Sequence, residues 1–314
     1  MYVNDIAIST NAKILSFADD TTLYVSHSNP TELFKMANME MGNLFNWFCA
    51  NKLSLNPDKT KYILIHAPRQ KIDITDLTMT INGVRLKQIG NNLEEKSSKF
   101  LGIHLDECLT WKHHLNHVNL KISRALFAIK QIKHILPINS LRTLYYSMIH
   151  PHLSYGILAW GNAVQVNLNR TITIQKRAIR TINRASYNAH TDPLFKKCNI
   201  LKLHDLYDYE VAQFMYRYHS NQLPKSFDNM FQYNYEMQVI HRTRQSHQMH
   251  IERCASNLSA RLPHYNFPKM WNNLSLNIDN VSFFKFRKNL RVTMISSYLD
   301  VVKCQNQLCR DCYK

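Results

Sequence analysis

Glycine is scarce in this chain: six residues in 314, at positions 42, 83, 90, 102, 156 and 161. No G-x-G-x-x-G and no G-x-S-x-G passes through them, which excludes a dinucleotide-binding fingerprint and a nucleophile elbow. Gly156 and Gly161 have phosphate-loop spacing, but Asn162 stands where a lysine must reach the phosphates. Cysteine is thin and odd in number, seven residues at 49, 108, 198, 254, 304, 309 and 312. A chain of this size folds without bridges, so reduced thiols are expected. The opening residues MYVNDIAIST have neither a basic nor an apolar leader segment, so no secretory signal is expected and the chain reads as intracellular, in nucleus or cytoplasm. The longest uncharged stretch lies between Arg142 and Arg170 and has bilayer length. His150, Pro151, His152, Asn162 and Gln165 interrupt it, which predicts a pair of buried helices rather than a membrane span.

The most informative absence is of carboxylates. Residues 1–60 hold 4 basic and 6 acidic side chains, 61–110 hold 7 and 6, 111–190 hold 11 and 0, and 191–314 hold 17 and 10. The net charge is +17, and its largest share falls where no acid is present. A solvated helix ordinarily mixes signs for i,i+4 pairing, so an all-cationic stretch gives up that support unless a polyanion returns it. Two readings stand: a nucleic-acid-binding segment, with Lys121, Arg124, Lys130, Lys133, Arg170, Lys176, Arg177, Arg180 and Arg184 as phosphate contacts, or a basic surface neutralised elsewhere in the fold.

What is present describes a globular chain: 45% hydrophobic, 11% aromatic, and long enough for about two domains. Ile14–Ala18 and Thr21–Val25 are β-prone runs around Asp19-Asp20, predicting a hairpin with an acidic turn. Asn29-Pro30-Thr31-Glu32 is a helix start, and a helix over 30–50 follows, with Leu33, Met36, Ala37, Leu44, Trp47 and Phe48 at helical spacing. Met36, Met39 and Met41 read as core fillers of that helix. A buried strand is predicted over Tyr62–Ile65, a hairpin around Asn82-Gly83, and a single short strand over Phe100–Leu105. From Trp111 the period is helical, through Leu115, Val118, Ile122, Ala125, Leu126, Ile129 and Ile132. Further helices are predicted near 139–161, 168–185, 203–220 and 281–299, with a looser region around Pro224, Pro263 and Pro268. The fold class is thus α+β followed by all-α.

Two adjacent aspartates on a rigid turn suit Mg²⁺ and a nucleotide triphosphate, because Mg²⁺ takes hard oxygen ligands from one or two carboxylates plus phosphates. The dipeptide alone says little, and its surroundings say more. Phe17-Ala18-Asp19-Asp20-Thr21-Thr22-Leu23-Tyr24 resembles the FADD motif of reverse transcriptases from non-LTR retrotransposons, the jockey-like LINE elements. In register behind it, Trp47 and Leu53-Ser54-Leu55-Asn56-Pro57-Asp58-Lys59-Thr60 resemble the following helix and lysine motif. Phe100–Asp106 with Leu109-Thr110-Trp111 resembles the primer grip leading to the thumb. Tyr155-Gly156, Trp160-Gly161, Gln175–Arg180, Pro193-Leu194-Phe195, Arg242-Thr243-Arg244, Trp271-Asn272 and Phe284-Lys285 are similar to the helical region behind these polymerase domains.

The resemblance implies an incomplete reverse-transcriptase palm over 1–110, a basic helical thumb over 111–190 and the helical C-terminal region of such element proteins over 191–314. It implies that Asp19 and Asp20 bind Mg²⁺, or Mn²⁺ in its place, and that Lys59 sits near the incoming deoxynucleotide; a solvated loop lysine is the other reading of Lys59. Phe100, Leu101 and Gly102 would position the primer end. The partners implied are an RNA template with a DNA primer, or their hybrid, and no membrane. In this family a third metal-binding aspartate and the nucleotide-selecting segment precede FADD. Asp5 is the one carboxylate upstream of the pair and falls in a different motif, so the chain alone is expected to lack polymerase activity. The alternative is a stand-alone nucleic-acid-binding protein acting through its basic helices. Cys304, Cys309 and Cys312 form C-x4-C-x2-C, one ligand short of a zinc site that Cys254 or His250 would have to complete; plain thiols on a frayed tail are the other reading. His113 and His117 are an i,i+4 pair without the glutamate of a zincin.

Overall fold

Capping chemistry sets the first long element. The Asn29 side chain accepts from the Thr31 N–H at 2.9 Å, Pro30 occupies the first turn, and α1 runs Pro30–Ala50. It belongs to the first of two units, Met1–His113 and His114–Lys314, in a computed structural model that describes residues 5–18, 20–68, 70, 72–73, 77–237, 246–254, 256, 258–274 and 281–299. Strands in this unit are short and paired in twos: β1 (Lys13–Phe17) with β2 (Asp20–Tyr24), β4 (Thr80–Ile81) with β5 (Val84–Arg85), and β7 (Ser98–Phe100) with β8 (Ile103–Leu105), all antiparallel. β3 (Lys61–Ile63) runs parallel to β6 (Lys87–Ile89).

The core of this unit is one face of α1 against β4 and its surroundings: Phe34, Met79, Ile81 and Leu86 are buried, with Ala37, Met41, Phe45 and Tyr62 packed on them. Asn38 clamps the helix to the strand, donating to Thr78 O and accepting from Thr80 N, both at 2.9 Å. The helix period selects Phe34 rather than Met36. Met36 and Met39 are exposed, correcting their assignment as core fillers, and Met41 alone of the three packs inward. The Tyr62–Ile65 run is half-buried rather than buried, with Ile65 at the surface. Glu40 is buried on the same helix, and its Oε2 accepts from Thr10 Oγ1 at 2.5 Å, Asn11 N at 3.1 Å and Asn43 Nδ2 at 3.3 Å. It thereby ties the chain entering β1 to α1. The Thr10 hydroxyl, then the Asn11 amide, hold the Glu40 carboxyl below its usual range.

In the second unit α2 (Lys112–Ile132) buries Leu115, Val118, Ile122, Leu126 and Ile129, the predicted stripe. The 139–161 stretch is three helices rather than a pair: α3 (Ile138–Met148), α4 (His150–Ser154) and α5 (Ile157–Trp160). Pro151 cannot continue a ladder, Tyr155 turns extended, and Gly156 takes a φ of 61° that a side chain disfavours. Trp160 is fully buried with its Nε1–H on Tyr155 O at 2.9 Å, and a Cβ on Gly161 would collide with the Tyr207 ring. Packing thus explains Trp160-Gly161, and backbone conformation explains Gly156 after Tyr155. Then come α6 (Gln165–Ile182), α7 (Asp192–Cys198), α8 (Leu203–His219), α9 (Pro263–Asn272) and α10 (Phe283–Ser296). α7 and α9 were not predicted. Pro193 sits in the first turn of α7 and Pro263 in that of α9, positions where the missing N–H is harmless, while Phe195 and Trp271 supply the buried anchors. Asn272 clamps Met249, accepting from its N–H at 2.9 Å and donating to its C=O at 2.8 Å.

Two contacts define how α2 and α6 lie. Thr171 Oγ1 donates to Asn119 Oδ1 at 2.8 Å, and Arg184, just past α6, donates to Lys133 O at 3.1 Å and Leu136 O at 3.0 Å, just past α2. The contacts are separated by about 20 Å of rise on each helix, so the two run side by side in the same direction. Gln175 at the centre of α6 is buried, and its amide donates to Tyr145 OH and Leu201 O at 3.0 Å and accepts from Leu203 N at 2.9 Å, joining α3, α6 and the start of α8. Among the described residues no helix is long and apolar enough to cross a membrane.

Gln175→Met keeps the volume and strands these three groups, so it should lower the unfolding free energy by about 2–4 kcal/mol, read from urea midpoints. Glu40→Gln should cost about 1 kcal/mol at neutral pH. Because the folded carboxyl lies below its ordinary value of 4.5, its stabilisation is complete above that pH and is lost as pH falls through the folded value. The difference between Glu40→Gln and the parent should therefore shrink below about pH 4.

Candidate functional site

The acidic turn is built as a two-residue loop. Phe17 pairs with Asp20, leaving Ala18 and Asp19 between them, and Ala18 adopts a φ of 54°. Left-handed backbone at a residue with a Cβ costs on the order of 1 kcal/mol, which the β1–β2 ladder must hold in place. Asp19 lies outside the described residues. Asp20 opens β2 and is exposed, and among the described residues its carboxylate has no ion pair. Cross-strand partners share a face, so Asp20 lies with Leu15, Phe17, Thr22 and Tyr24. Leu15, Phe17 and Tyr24 on that face are exposed.

Lys59 is exposed in the turn before β3. The Asn56 side-chain Oδ1 accepts from Asp58 N at 2.9 Å and Lys59 N at 3.3 Å, and Thr60 Oγ1 closes the turn by donating to the backbone Asn56 O at 2.9 Å. This is an Asx turn, the physical content of Asn56-Pro57-Asp58-Lys59-Thr60. No hydrogen bond or ion pair joins Lys59 to Asp20 among the described residues.

Phe100, Leu101 and Gly102 are not on one strand. Phe100 ends β7, and Leu101 (φ 45°) and Gly102 (φ 85°) form the two-residue tip of the β7–β8 hairpin, which corrects the predicted single strand over 100–105. Consecutive positive φ values are what a tight hairpin with right-twisted strands requires. Behind it, Asp106 is fully buried; its Oδ1 accepts from Cys108 N at 3.3 Å and Thr110 N at 2.9 Å, its Oδ2 from Trp111 N at 2.9 Å. Sequence reasoning placed Asp106 in a motif without a role. Its signal was the run Asp106 to Trp111, where Leu109 and Trp111 also take positive φ and the carboxylate satisfies the amides this turn frees.

The nine basic candidates separate by what they touch. Arg180 Nε donates to Ala189 O at 2.8 Å, and Arg184 is spent on Lys133 O and Leu136 O, where a cation also complements the C-terminal end of α2. Lys133 and Lys176 are half-buried. Lys121, Arg124 and Lys130 on α2 and Arg170 and Arg177 on α6 are exposed, the last two seven residues apart and so on one face. On α2 the row Leu120, Arg124 and Phe127 is outward, with Leu120 56% and Phe127 64% exposed between the cations. Cations alternating with outward apolar and aromatic groups, without a carboxylate on either helix, can neutralise phosphates and stack on bases.

For metal ions, Cys304, Cys309 and Cys312 lie outside the described residues, as does Arg242-Thr243-Arg244. His250 Nδ1 is 3.2 Å from Asn234 Oδ1, and Cys254 Sγ lies on Ser256 O at 3.0 Å. His113 is half-buried and His117 exposed on α2. A cluster that no sequence spacing announced is His66, Glu107 and Cys108, whose ligand atoms lie within 4.8 Å of one another. Burial, then the Glu107 and Asp106 carboxylates, push the Cys108 thiol up.

No family model matches the chain, and no solved structure matches it. Three curated Drosophila melanogaster proteins do. It is 26% identical over 192 residues to a probable RNA-directed DNA polymerase from transposon BS, covering 60% of this chain and 20% of that protein. It is 27% identical over 133 residues to the RNA-directed DNA polymerase from mobile element jockey, and 24% over 129 residues to a probable one from transposon X-element, each covering 40% of this chain and 14% of the relative. The chain thus spans a fifth or less of the length of these relatives. The chain is similar to the reverse transcriptases, or RNA-directed DNA polymerases, of jockey-like non-LTR retrotransposons.

Proposed function

We propose that this chain supplies the acidic hairpin, primer-grip turn and nucleic-acid-holding helices of a retrotransposon RNA-directed DNA polymerase. One observation carries the reading: in a relative of reverse transcriptases, two parallel helices without a carboxylate turn Lys121, Arg124, Lys130, Arg170 and Arg177 outward beside Leu120 and Phe127. An RNA template with its DNA primer, or their hybrid, is the polyanion that fits, held by phosphate contacts from the cations and by stacking on Phe127.

At the hairpin, exposed and without an ion pair among the described residues, Asp20 offers the hard oxygen donors that Mg²⁺ or Mn²⁺ takes, with Asp19 beside it in sequence. A bound ion supplies charge neutralisation at the attacking and leaving oxygens of nucleotidyl transfer from a deoxynucleotide. Lys59, projecting from its Asx turn, meets the triphosphate, and the Leu101-Gly102 tip abuts the primer end. The polymerases that this chain resembles use a third metal-binding aspartate, and Asp5 falls in a different motif, so Asp19 and Asp20 by themselves do not form a two-ion cage and these 314 residues alone do not polymerise. As palm remainder (1–110), thumb (111–190) and C-terminal helical region (191–314), they hold nucleic acid whether or not the aspartates work, which is also what a stand-alone binding protein would do.

Binding of the purified chain to an RNA–DNA hybrid should fall about 10³-fold between 50 and 200 mM salt for about six phosphate contacts. Arg124→Ala and Arg177→Ala should each lower the salt slope by about 1, whereas Phe127→Ala should weaken binding by about 1–3 kcal/mol without changing the slope. Asp20→Ala should leave binding intact. Binding that ignores salt would refute the charge argument. With Mg²⁺, primed RNA and deoxynucleotides the chain should give no extension; extension abolished by Asp20→Ala would show that the hairpin is sufficient.

A further inference from the structure

His66 follows β3 in a connecting segment, and Glu107 and Cys108 follow β8, 41 residues later in sequence. The two segments are joined through the backbone, the His66 N–H donating to Glu107 O at 2.9 Å. That bond brings an imidazole, a carboxylate and a thiol together with their ligand atoms within 4.8 Å of one another, His66 and Glu107 half-buried and Cys108 buried. We propose that His66, Glu107 and Cys108 are a three-ligand site for Zn²⁺, independent of the aspartates of the acidic hairpin.

Four features of the surroundings favour an ion here. The loop is shaped before any ion arrives, since Asp106 holds the Cys108 N–H at 3.3 Å and the Thr110 and Trp111 N–H groups at 2.9 Å. The imidazole is held by a neighbour: its Nδ1 lies 2.9 Å from Ala67 O, a backbone acceptor of the kind that orients metal-bound histidines. The Glu107 carboxylate has no hydrogen bond or ion pair among the described residues, in a chain of net charge +17. Finally, it is seated against Gly90, where a Cβ would stand 2.6 Å from Glu107 Oε2.

The donor set chooses the ion. One nitrogen, one sulfur and one oxygen are the ligands of a borderline-soft cation and not of Mg²⁺ or Ca²⁺, which take oxygens. Bonds of about 2.0–2.3 Å at tetrahedral angles place ligand atoms about 3.5 Å apart, so the three groups need only close by about 1 Å. The Cys108 thiol proton leaves to solvent as the Zn–S bond forms, and the Glu107 carboxylate and Cys108 thiolate balance the ion's two charges. Water takes the fourth position.

Co²⁺, a spectroscopic stand-in for Zn²⁺, tests the site in the reduced full chain. One equivalent should produce thiolate-to-cobalt charge-transfer absorption that Zn²⁺ bleaches, and the band should persist when Cys304→Ser, Cys309→Ser and Cys312→Ser are combined. Cys108→Ser should abolish it. His66→Gln should weaken Co²⁺ binding on the order of 100-fold, and Zn²⁺ should raise the thermal midpoint of the parent but not of this variant. Gly90→Ala retains every ligand yet displaces the carboxylate, whose flexible end gives way, and should cost on the order of 10- to 100-fold in affinity. A cooperative thermal transition in each variant shows that the fold is kept, and should Cys108→Ser fail to fold, His66→Gln and Gly90→Ala decide. Absence of the band in the parent, its survival in Cys108→Ser, equal affinity in His66→Gln and the parent, or its loss in the three-serine tail variant would overturn the proposal.

Discussion

Between Glu107 and Asp192 the chain has no acidic side chain, so a cation in that interval finds a carbonyl, water, a foreign anion or a carboxylate from elsewhere in the fold. The second unit is organised by this constraint. Three arginines end on backbone oxygens at the ends of helices: Arg184 on the carbonyls just past α2, Arg180 on the loop after α6, and Arg291 of α10 on Asn199 O at 2.6 Å, just past α7. Each neutralises the negative end of a helix or closes a turn, so cations act as the clamps of this unit. Acid returns only at Asp192, and it is used at once, paired with Lys202 at 2.8 Å.

Polar groups in the interior follow the same economy of partners. The buried Gln175 amide uses both ends of its side chain on α3 and the 201–203 segment, and Asn119 with Thr171 forms a closed pair between α2 and α6. In the first unit, where strands are two to five residues long, side-chain bonds replace sheet ladders: Asn38 on β4, Glu40 on the segment ahead of β1, Asp106 on three amides of one turn. The strands are too short to hold their positions by ladder bonds alone, and the side chains supply what the ladders lack.

Elements whose signals were local were legible in the sequence. Asn82-Gly83 is at once a sequence motif and a backbone requirement, with φ of 47° and 78° in the structure. Asn29-Pro30 names its helix for the same reason, and the α2 stripe is plain because seven positions repeat one period. Leu101-Gly102 makes the same kind of turn as Asn82-Gly83 and was not legible, because leucine is not a residue that ordinarily takes positive φ. α9 was hidden by its own prolines, which read as breakers although one of them sits where helices tolerate it. At the site, the FADD hairpin and the basic helices were readable as types of residue in order. Which arginines face outward was not, because that depends on carbonyls presented by other parts of the chain. The His66, Glu107 and Cys108 grouping depends on one backbone hydrogen bond across 41 residues, and no spacing rule can see it.

The parallel course of α2 and α6 has a consequence for scale. Their two fixed contacts delimit a beam about 20 Å long, and duplex nucleic acid presents one phosphate per strand about every 3.4 Å along its axis. A beam of that length subtends about six phosphates of one strand. Five outward cations lie along it, from Lys121 to Lys130 on one helix and from Arg170 to Arg177 on the other. Because Arg184 pins the far end of the beam to backbone oxygen rather than to a flexible ion pair, the spacing between those charges is set by helix geometry, and added salt can screen the charges without loosening the ruler that holds them.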